Sequence, residues 1–272
     1  MNDEVIYDIC DKYVKQFSGV SGEGYEDKGI IDSEMLAVCA LASGLGVSKI
    51  VESGRARAQS TLMMAKYFKD QSDVKITSIE LNKYTSDAVI AKKRLKDYPS
   101  VNLRFGDSSK IIPAEVKGQS SVVLIDGPKG IDAVLLTAVL LKNANVKAVL
   151  IHDMHSEAEG RRELEEMLPD NVFFTDAERY VNRYKWLDEE SWKKIRSSKR
   201  TNDWAPFVRG GESKKSYFAT MAIILNKENG INVGSNEIER ISQLNTEKMY
   251  IEPMGFKTAL KRLYWFFKYH LV

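Results

Sequence analysis

Cysteine is scarce in this chain, and the residue patterns typical of several protein classes are missing. Only Cys10 and Cys39 occur among the 272 residues, and neither belongs to a Cys-x-x-Cys or Cys/His spacing. The sequence therefore indicates neither a structural zinc site nor a disulfide scaffold, and it favours a reducing compartment. The apolar runs are far shorter than the roughly 20 residues of a membrane span, and the N-terminus is acidic, unlike a signal peptide. We expect a cytoplasmic protein.

A large charge imbalance is also lacking. The chain has 40 lysines and arginines and 38 acidic residues, which gives a net charge of +2. This balance does not favour binding to extended duplex nucleic acid. The hydrophobic content of 43% is ordinary for a globular protein, and the length favours one large α/β domain over two small ones.

Apolar strand patterns and amphipathic helix patterns alternate along the chain. The first two helices are predicted at 3–17 and 32–45, with Asp32-Ser33 as the N-cap of the second. Further predicted elements are strands at 47–52, 74–80, 101–105, 121–126, 146–152, 171–175 and 217–225, and helices at 58–70, 83–97, 131–143 and 156–168. The alternation predicts a doubly wound sheet that binds its ligand at the carboxyl ends of the strands.

The turn after the first strand carries a functional signal. An apolar run ends at Glu52 and Gly54, and a helix pattern begins near Ser60, where unpaired backbone N–H groups can face a ligand. Glu80 ends the next strand, where nucleotide-binding units place a carboxylate for ribose hydroxyls. A dinucleotide site needs G-x-G-x-x-G for its pyrophosphate, and this turn has one glycine. Glu52 would suit a ligand with an ammonium or sulfonium group.

Polar motifs end five of the strands in a fixed order. They are Val51-Glu52-Ser53-Gly54 with Ser60-Thr61, then Glu80, Gly106-Asp107-Ser108, Ile125-Asp126-Gly127 and His152-Asp153. Over residues 30–226 this order resembles the class I S-adenosylmethionine (SAM)-dependent methyltransferases, in particular small-molecule O-methyltransferases of the catechol and antibiotic-sugar types. The resemblance implies a Rossmann-like, doubly wound, seven-stranded and mostly parallel sheet with an antiparallel last strand.

The resemblance also implies an organisation and a cofactor site. An N-terminal helical segment (1–46) would precede the Rossmann-like domain (47–226), and a C-terminal helical extension (227–272) would follow. SAM would be held by Glu52, Gly54, Ala56, Ser60, Glu80, Leu81, Asp107 and Ser108.

Four residues of the turn depart from the family pattern. Ala56 and Ala58 stand where glycine is usual, and alanine fits there only if φ stays negative. Arg55 and Arg57 could point at the methionine carboxylate of the cofactor, at an anionic substrate or into solvent.

Asp126 and Lys129 form a D-x-x-K spacing similar to that of catechol-type and caffeoyl-CoA-type O-methyltransferases. The resemblance implies that Asp126 binds a divalent metal and that Lys129, with a lowered pKa, takes the hydroxyl proton. The alternative for Lys129 is a solvated turn. Asp153 would be a second ligand for Mg²⁺, but Met154 follows it where the family has Asn or Asp, so metal dependence stays open. His152 or His155 could instead supply nitrogen or accept a proton.

Residues 179–215 form a basic, aromatic insertion. The segment contains eleven lysines and arginines but five acidic residues. Its aromatic residues include Tyr180, Tyr184, Trp186, Trp192, Trp204 and Phe207. We predict a lid over an anionic or sugar-like substrate, and the alternative is a helix with a solvated basic face and its aromatic side chains in the core.

The C-terminal residues Lys257–Val272 form a basic aromatic helix pattern. It could lie on a membrane surface as a peripheral contact, or pack on the domain or on a sister subunit in a homo-oligomer. The leading function is a SAM-dependent methyltransferase that acts on an oxygen of a small or sugar-like molecule. The alternatives are a catalytically silent cofactor-binding scaffold that docks partners, and a nucleotide-binding enzyme of another class.

Overall fold

Alternating strands and helices make up most of the chain that the structure describes. The structure is a computed structural model, and it describes residues 3–22, 29–197 and 220–226. These residues belong to one unit, Met1–Val233, and a second unit, Gly234–Val272, lies outside the described residues. The described elements are α1 (Asp3–Ser18), α2 (Asp32–Gly44), β1 (Lys49–Ser53), α3 (Gln59–Tyr67), β2 (Lys75–Glu80), α4 (Ser86–Leu95), β3 (Val101–Phe105), α5 (Ser108–Glu115), β4 (Ser121–Ile125), α6 (Ile131–Leu140), β5 (Val146–Ile151), α7 (Glu159–Met167), β6 (Phe173–Phe174), α8 (Glu178–Tyr184), a 3-10 turn (Lys185–Asp188), α9 (Glu189–Ser197) and β7 (Ala222–Leu225).

The seven strands form one sheet in the order β3-β2-β1-β4-β5-β7-β6. The first five strands in this order pair in parallel, and β7 is antiparallel to both β5 and β6. The prediction of a Rossmann-like, mostly parallel sheet with an antiparallel last strand is therefore confirmed. The strand order reverses between β1 and β4, and such a switch point leaves a crevice at the carboxyl ends of the strands.

The central strands are apolar on both faces because helices cover both sides of the sheet. On β4 and β5, Leu124 and Leu150 belong to the core that includes residues of α1, α2 and α3. Val123 and Val149 alternate with them, are equally buried and therefore face the opposite side, where α5 contacts β1 and α6 contacts β5. This burial explains why both strands are nearly continuous apolar runs in the sequence.

Helix α2 is buried over its whole first three turns, Asp32 to Ala42. The predicted N-cap at Asp32-Ser33 is wrong: the N-cap is Ile31, and Asp32 lies inside the first turn. The Asp32 carboxylate accepts hydrogen bonds from the Gly22 backbone N–H (3.0 Å) and the Ser191 hydroxyl (3.2 Å). Tertiary partners therefore occupy the side chain that local spacing assigns to capping.

Helix α5 is absent from the sequence prediction. Asp107 caps it by accepting a hydrogen bond from the Ser109 N–H, at 3.0 Å. Within the helix only Ile112 is buried, and Pro113 interrupts the pattern. A helix with so little buried surface leaves almost no apolar period to detect.

The first half of the basic, aromatic insertion packs against the N-terminal helices. Tyr180 and Tyr184 are almost fully buried in the shared core. Arg179 forms an ion pair with Glu4, and Arg183 forms one with Asp11. These two arginines therefore pair with α1, contrary to the expectation that the insertion's cations bind a substrate. Trp204, Phe207 and residues 198–215, to which the rest of the lid prediction applies, lie outside the described residues.

Three further expectations concern single features of the chain. Cys10 and Cys39, which the sequence assigns to neither a zinc site nor a disulfide, are both free and buried. Among the described residues, no helix is both long and apolar enough to cross a membrane. The predicted C-terminal extension, 227–272, with its candidate membrane or subunit contact at Lys257–Val272, lies outside the described residues.

The buried Asp32 carboxyl predicts a pH-dependent stability. Burial raises its pKa to about 6, although the bonds from Gly22 and Ser191 oppose the shift. The folded state thus binds this proton more tightly than the unfolded state, so the stability that Asp32 contributes is lost as the pH rises from about 4 to about 6. We expect Asp32→Asn to raise the free energy of unfolding at pH 8, by up to about 3 kcal/mol, and not at pH 4.

Urea unfolding at the two pH values measures this difference. Asp73→Asn, at an exposed position, is the matched control and should change stability equally at both. An Asp32→Asn protein that gains nothing at pH 8 relative to pH 4 would contradict the prediction.

Candidate functional site

A cavity of about 570 Å³ opens at the carboxyl ends of β1, β2, β3 and β4. This volume lies within the usual range of pockets for small molecules and cofactors. Polar strand ends form one side of the cavity, and apolar residues of α6 form another. The lining residues are Gly54, Ile79, Glu80, Leu81, Gly106, Asp107, Ser108, Ser109, Gly127, Pro128, Asp132, Leu135, Leu136 and Val139.

The structure brings most of the predicted cofactor residues to this cavity. Five of the eight line it directly, namely Gly54, Glu80, Leu81, Asp107 and Ser108. Ala56 is outside the lining, but its backbone N–H bonds to the carboxylate of Glu80. Glu52 and Ser60 are also outside the lining, and they lie in the interior, hydrogen bonded to each other.

Gly54 shapes the cavity because no side chain fits at its position. Its φ is +85°, in the region that favours glycine. A Cβ placed there would lie 2.6 Å from the carbonyl carbon of Asp126 and 2.8 Å from the backbone nitrogen of Gly127. The ends of β1 and β4 therefore meet directly, and the space beside them stays open.

Glu80 is fixed by two backbone donors at the edge of the cavity. Its carboxylate accepts a hydrogen bond from the Ala56 N–H at 2.8 Å and one from the Leu81 N–H at 2.9 Å. A carboxylate has about four lone-pair positions, so further acceptor capacity remains for hydroxyl groups of a ligand.

Glu52 binds hydroxyl groups of its own chain. The fully buried carboxylate accepts hydrogen bonds from Ser60, Thr61 and Ser78, the last at 2.6 Å. Burial raises the pKa of Glu52, and the three hydroxyls oppose this shift. These contacts tie the start of α3 to β1 and β2, and they give no support to a direct contact of Glu52 with an ammonium or sulfonium group.

The turn between Gly54 and α3 differs from the expectation of negative φ. Ala56 has φ +45° and Ala58 has φ +65°, so both alanines adopt the left-handed conformation that glycine normally supplies. Arg55 is 2% exposed and points neither into solvent nor into the cavity lining. Arg57 forms an ion pair with Asp87 at 2.8 Å.

The end of β3 is connected to the end of β4. The Ser108 hydroxyl donates to the carbonyl oxygen of Gly127 at 3.1 Å. Asp107 accepts from the hydroxyl of Ser109 at 2.7 Å, besides capping α5 through the N–H of the same residue. Asp107 and Ser108, both predicted to hold the cofactor, thus line the cavity and also connect its walls.

The predicted catalytic residues gather in an acid–base cluster next to the cavity. Lys129 donates hydrogen bonds to Asp126 and to Asp153, the latter at 2.6 Å. The Nδ1 atom of His152 lies 2.6 Å from Oδ1 of Asp126 and 3.5 Å from Oδ1 of Asp153. Asp153 has φ +63°, a conformation that Asp tolerates better than most residues.

Glu34 completes this cluster, and the sequence reasoning missed it. Its Oε2 atom lies 3.5 Å from Nε2 of His152, and the residue is 1% exposed. The other carboxylate oxygen, Oε1, has no hydrogen-bond partner among the described residues. An acid at the start of an otherwise apolar buried helix was the available signal, because a buried carboxylate needs a partner.

Electrostatics in the cluster favour the protonated forms of Lys129 and His152. Burial opposes the charged form of Lys129, but the carboxylates of Asp126 and Asp153 raise its pKa above the usual value. Burial likewise opposes a charged His152, and Glu34 and Asp126 outweigh it and raise the pKa well above its usual range. The expectation of a lowered Lys129 pKa is therefore wrong, because two carboxylates hydrogen bond to its ammonium and favour the charged form.

The same cluster contains the donor set of a cation site. Atoms of Asp126, His152 and Asp153 lie within 4.8 Å of one another. Met154 is buried, and its thioether supplies no oxygen ligand. Two carboxylates and one imidazole suit a transition metal such as Mn²⁺ better than Mg²⁺, which prefers an all-oxygen set. The residues fit such an ion only if the Lys129 ammonium leaves its position between the two carboxylates.

Comparisons with known proteins find similar structures. No family model and no curated protein matches the sequence. The O-methyltransferase TomG from Streptomyces achromogenes, solved with SAM, is 16% identical over 84% of this chain and 92% of that chain, with a TM-score of 0.48. An O-methyltransferase from Bacillus cereus, solved with SAH (S-adenosylhomocysteine), is 13% identical over 80% of this chain and 90% of that chain, with a TM-score of 0.40. The Podospora anserina methyltransferase PaMTH1, also SAH-bound, is 12% identical over 84% and 97%, with a TM-score of 0.42.

The contact between Gly54 and Asp126 predicts a large effect of a single methyl group. In Gly54→Ala the Cβ would overlap backbone atoms, and an L-residue would also be strained at this φ. We expect the free energy of unfolding to fall by at least about 3 kcal/mol, measured by urea denaturation. Gly118→Ala is the matched control, since its φ is +73° with nothing within 4 Å of the added Cβ. It should lose only about 1 kcal/mol. Equal losses in the two variants would show that steric overlap is not the cause.

Proposed function

We propose that this chain is a SAM-dependent methyltransferase that binds its cofactor in the cavity beside Glu80. The observation that carries the proposal is the position of the Glu80 carboxylate, which ends β2, the strand beside β1 at the switch point, and is held by two backbone N–H groups. An acid at this place accepts ribose hydroxyls in nucleotide-binding sheets of this kind. The single glycine of the turn, Gly54, supports a nucleoside without a pyrophosphate.

Different lining residues contact different parts of the cofactor in this proposal. Gly54 leaves room for the methionine part, because β1 ends there without a side chain. Glu80 accepts the ribose hydroxyls, and Asp107 and Ser108 contact the adenine edge. Leu81 and the apolar residues of α6 cover the faces of the base. Glu52 and Ser60 act indirectly, by fixing the start of α3 under the turn.

The acid–base cluster handles the nucleophile in this proposal. Methyl transfer is an in-line displacement: an oxygen attacks the methyl carbon, the bond from carbon to sulfur breaks, and the sulfonium becomes a neutral thioether. The substrate hydroxyl gives its proton to Asp126, and the ammonium of Lys129 stabilises the oxyanion that forms. Lys129 therefore acts as an electrostatic partner, since its proton is held by the two carboxylates.

A divalent metal is the open element of this proposal. Asp126, His152 and Asp153 would hold it. When bound, it would orient the substrate hydroxyl and favour its ionised form. Since the Lys129 ammonium bonds to both carboxylates, lysine and metal compete for the same two side chains.

Titration calorimetry with SAH tests the cofactor site. Glu80→Ala removes the acceptor of the ribose hydroxyls, so affinity should fall by roughly 30- to 150-fold. Asp97→Ala, at an exposed position outside the cavity lining, is the control and should bind as the parent does. If Glu80→Ala binds SAH within threefold of the parent, or if the parent binds NAD in preference to SAH, the proposed cofactor is wrong.

Calorimetry with Mn²⁺ tests the competition at the cluster. Lys129→Met removes the ammonium and its positive charge, so we expect Mn²⁺ affinity to rise by roughly tenfold or more. Lys110→Met, at an exposed lysine outside the cluster, should leave Mn²⁺ binding unchanged. Equal or weaker Mn²⁺ binding in Lys129→Met would mean that lysine does not occupy a cation position.

A further inference from the structure

Arg55 is a large charged side chain in an interior position. It is 2% exposed, although it lies in a turn next to the cavity. It does not line that cavity, and it forms no ion pair with another described residue, whereas Arg57 pairs with Asp87. The cofactor contacts proposed above give it no role.

The guanidinium of Arg55 connects the turn to two strands. Its Nη1 atom donates to the carbonyl oxygen of Ser78 on β2 at 2.6 Å and approaches the carbonyl oxygen of Arg104 on β3 at 3.4 Å. Its central carbon lies 4.8 Å from the ring centroid of Phe105, a cation–π contact at the end of β3. The side chain thus reaches from the end of β1 across β2 to the edge strand of the sheet.

The backbone that follows Arg55 is strained, and one of its N–H groups bonds to Glu80 at the edge of the cavity. Ala56 and Ala58, on either side of Arg57, adopt left-handed conformations that disfavour residues with a Cβ. These conformations aim the Ala56 N–H at Glu80, and they let the Ala58 N–H bond to the Arg55 carbonyl at 2.8 Å. Strain of this kind persists only where the surrounding contacts determine the backbone.

We infer that Arg55 is a positioning residue: its guanidinium ties the turn after β1 to the ends of β2 and β3, and so keeps the Ala56 N–H and the Glu80 carboxylate fixed at the cavity. The effect on cofactor affinity rests on the proposed function, whereas the bracing of the turn does not.

The chemistry of arginine suits this role. The span requires a long side chain with more than one donor, and the planar guanidinium can bond to carbonyl oxygens while it stacks on an aromatic ring. Burial lowers the pKa of Arg55, and the nearby carboxylates of Glu52 and Glu80 oppose this shift and favour the charged form. The Nε and Nη2 atoms have no hydrogen-bond partner among the described residues, so carbonyl bonding, stacking and these two charges hold the group in place.

Amide hydrogen exchange of the ligand-free protein tests the bracing directly. Arg55→Met keeps much of the side-chain volume and donates no hydrogen bond, so the Ala56 amide should exchange at least about tenfold faster. Arg57→Met, on the same turn, is the matched control and should leave that rate unchanged. Amides of β5 report whether each variant is folded. An unchanged Ala56 rate in folded Arg55→Met overturns the inference.

If Arg55→Met does not fold, the same exchange experiment is made with Arg55→Lys. It keeps one donor for the Ser78 carbonyl but loses the fork and the planar stacking, so it should exchange faster at Ala56 than the parent. A parental rate in Arg55→Lys would also overturn the inference.

Calorimetry with SAH tests the consequence for the cavity. Arg55→Met should weaken SAH binding by roughly tenfold. Glycines tolerate positive φ, so in an Ala56→Gly/Ala58→Gly background the same substitution should weaken binding by less than about threefold. A full tenfold loss in both backgrounds overturns the idea that Arg55 acts by holding the alanines. If the parent protein does not bind SAH, the proposed function fails, and the exchange experiment still decides the role of Arg55.

Discussion

The direct approach of Gly54 to the backbone of Asp126 is the contact on which the rest of the site depends. With no Cβ between them, β1 and β4 end against each other at the switch point of the sheet. The turn that follows β1 contacts Glu80 through the Ala56 N–H. The chain that follows β4 leads to Lys129. The cavity and the acid–base cluster are therefore neighbours because two strand ends share one contact, and a displacement there would move both.

The N-terminal helices belong to the site as much as the strand ends do. Glu34 reaches His152 from the first turn of α2. That turn is held by bonds from Gly22 and Ser191 to Asp32, by a bond from the Ser33 N–H to Asp188 at 2.7 Å, and by one from the Tyr180 hydroxyl to the Ser33 carbonyl at 2.8 Å. The described half of the basic, aromatic insertion thus acts on the cluster through α2.

The fold could be predicted where a periodic apolar pattern reflects burial. Residues of the candidate site could be predicted where an acid ends a strand of the sheet. Continuous apolar runs identify β4 and β5, and acids at strand ends identify Glu80 and Asp126. Helix α5 escaped prediction because it buries too little to show a period. The Asp32 partners, the left-handed alanines and the pKa of Lys129 escaped because each depends on groups that are distant in sequence. Glu34 belongs to the same class, since its partner is 118 positions away (152 minus 34).

The charges of the cluster bear on the kind of substrate that the proposed reaction would accept. Three acidic side chains, Glu34, Asp126 and Asp153, surround two basic ones, Lys129 and His152. Acidic groups outnumber basic groups in this cluster, which favours the arrival of a proton or a cation and opposes an anion. A neutral hydroxyl, as in a sugar, can give its proton to this cluster and leave its oxyanion beside Lys129. An anionic substrate would need cations from elsewhere, and Arg179 and Arg183 are paired with α1. Among the described residues, the charges of the cluster are therefore more compatible with a neutral hydroxyl of the proposed substrate than with an anion.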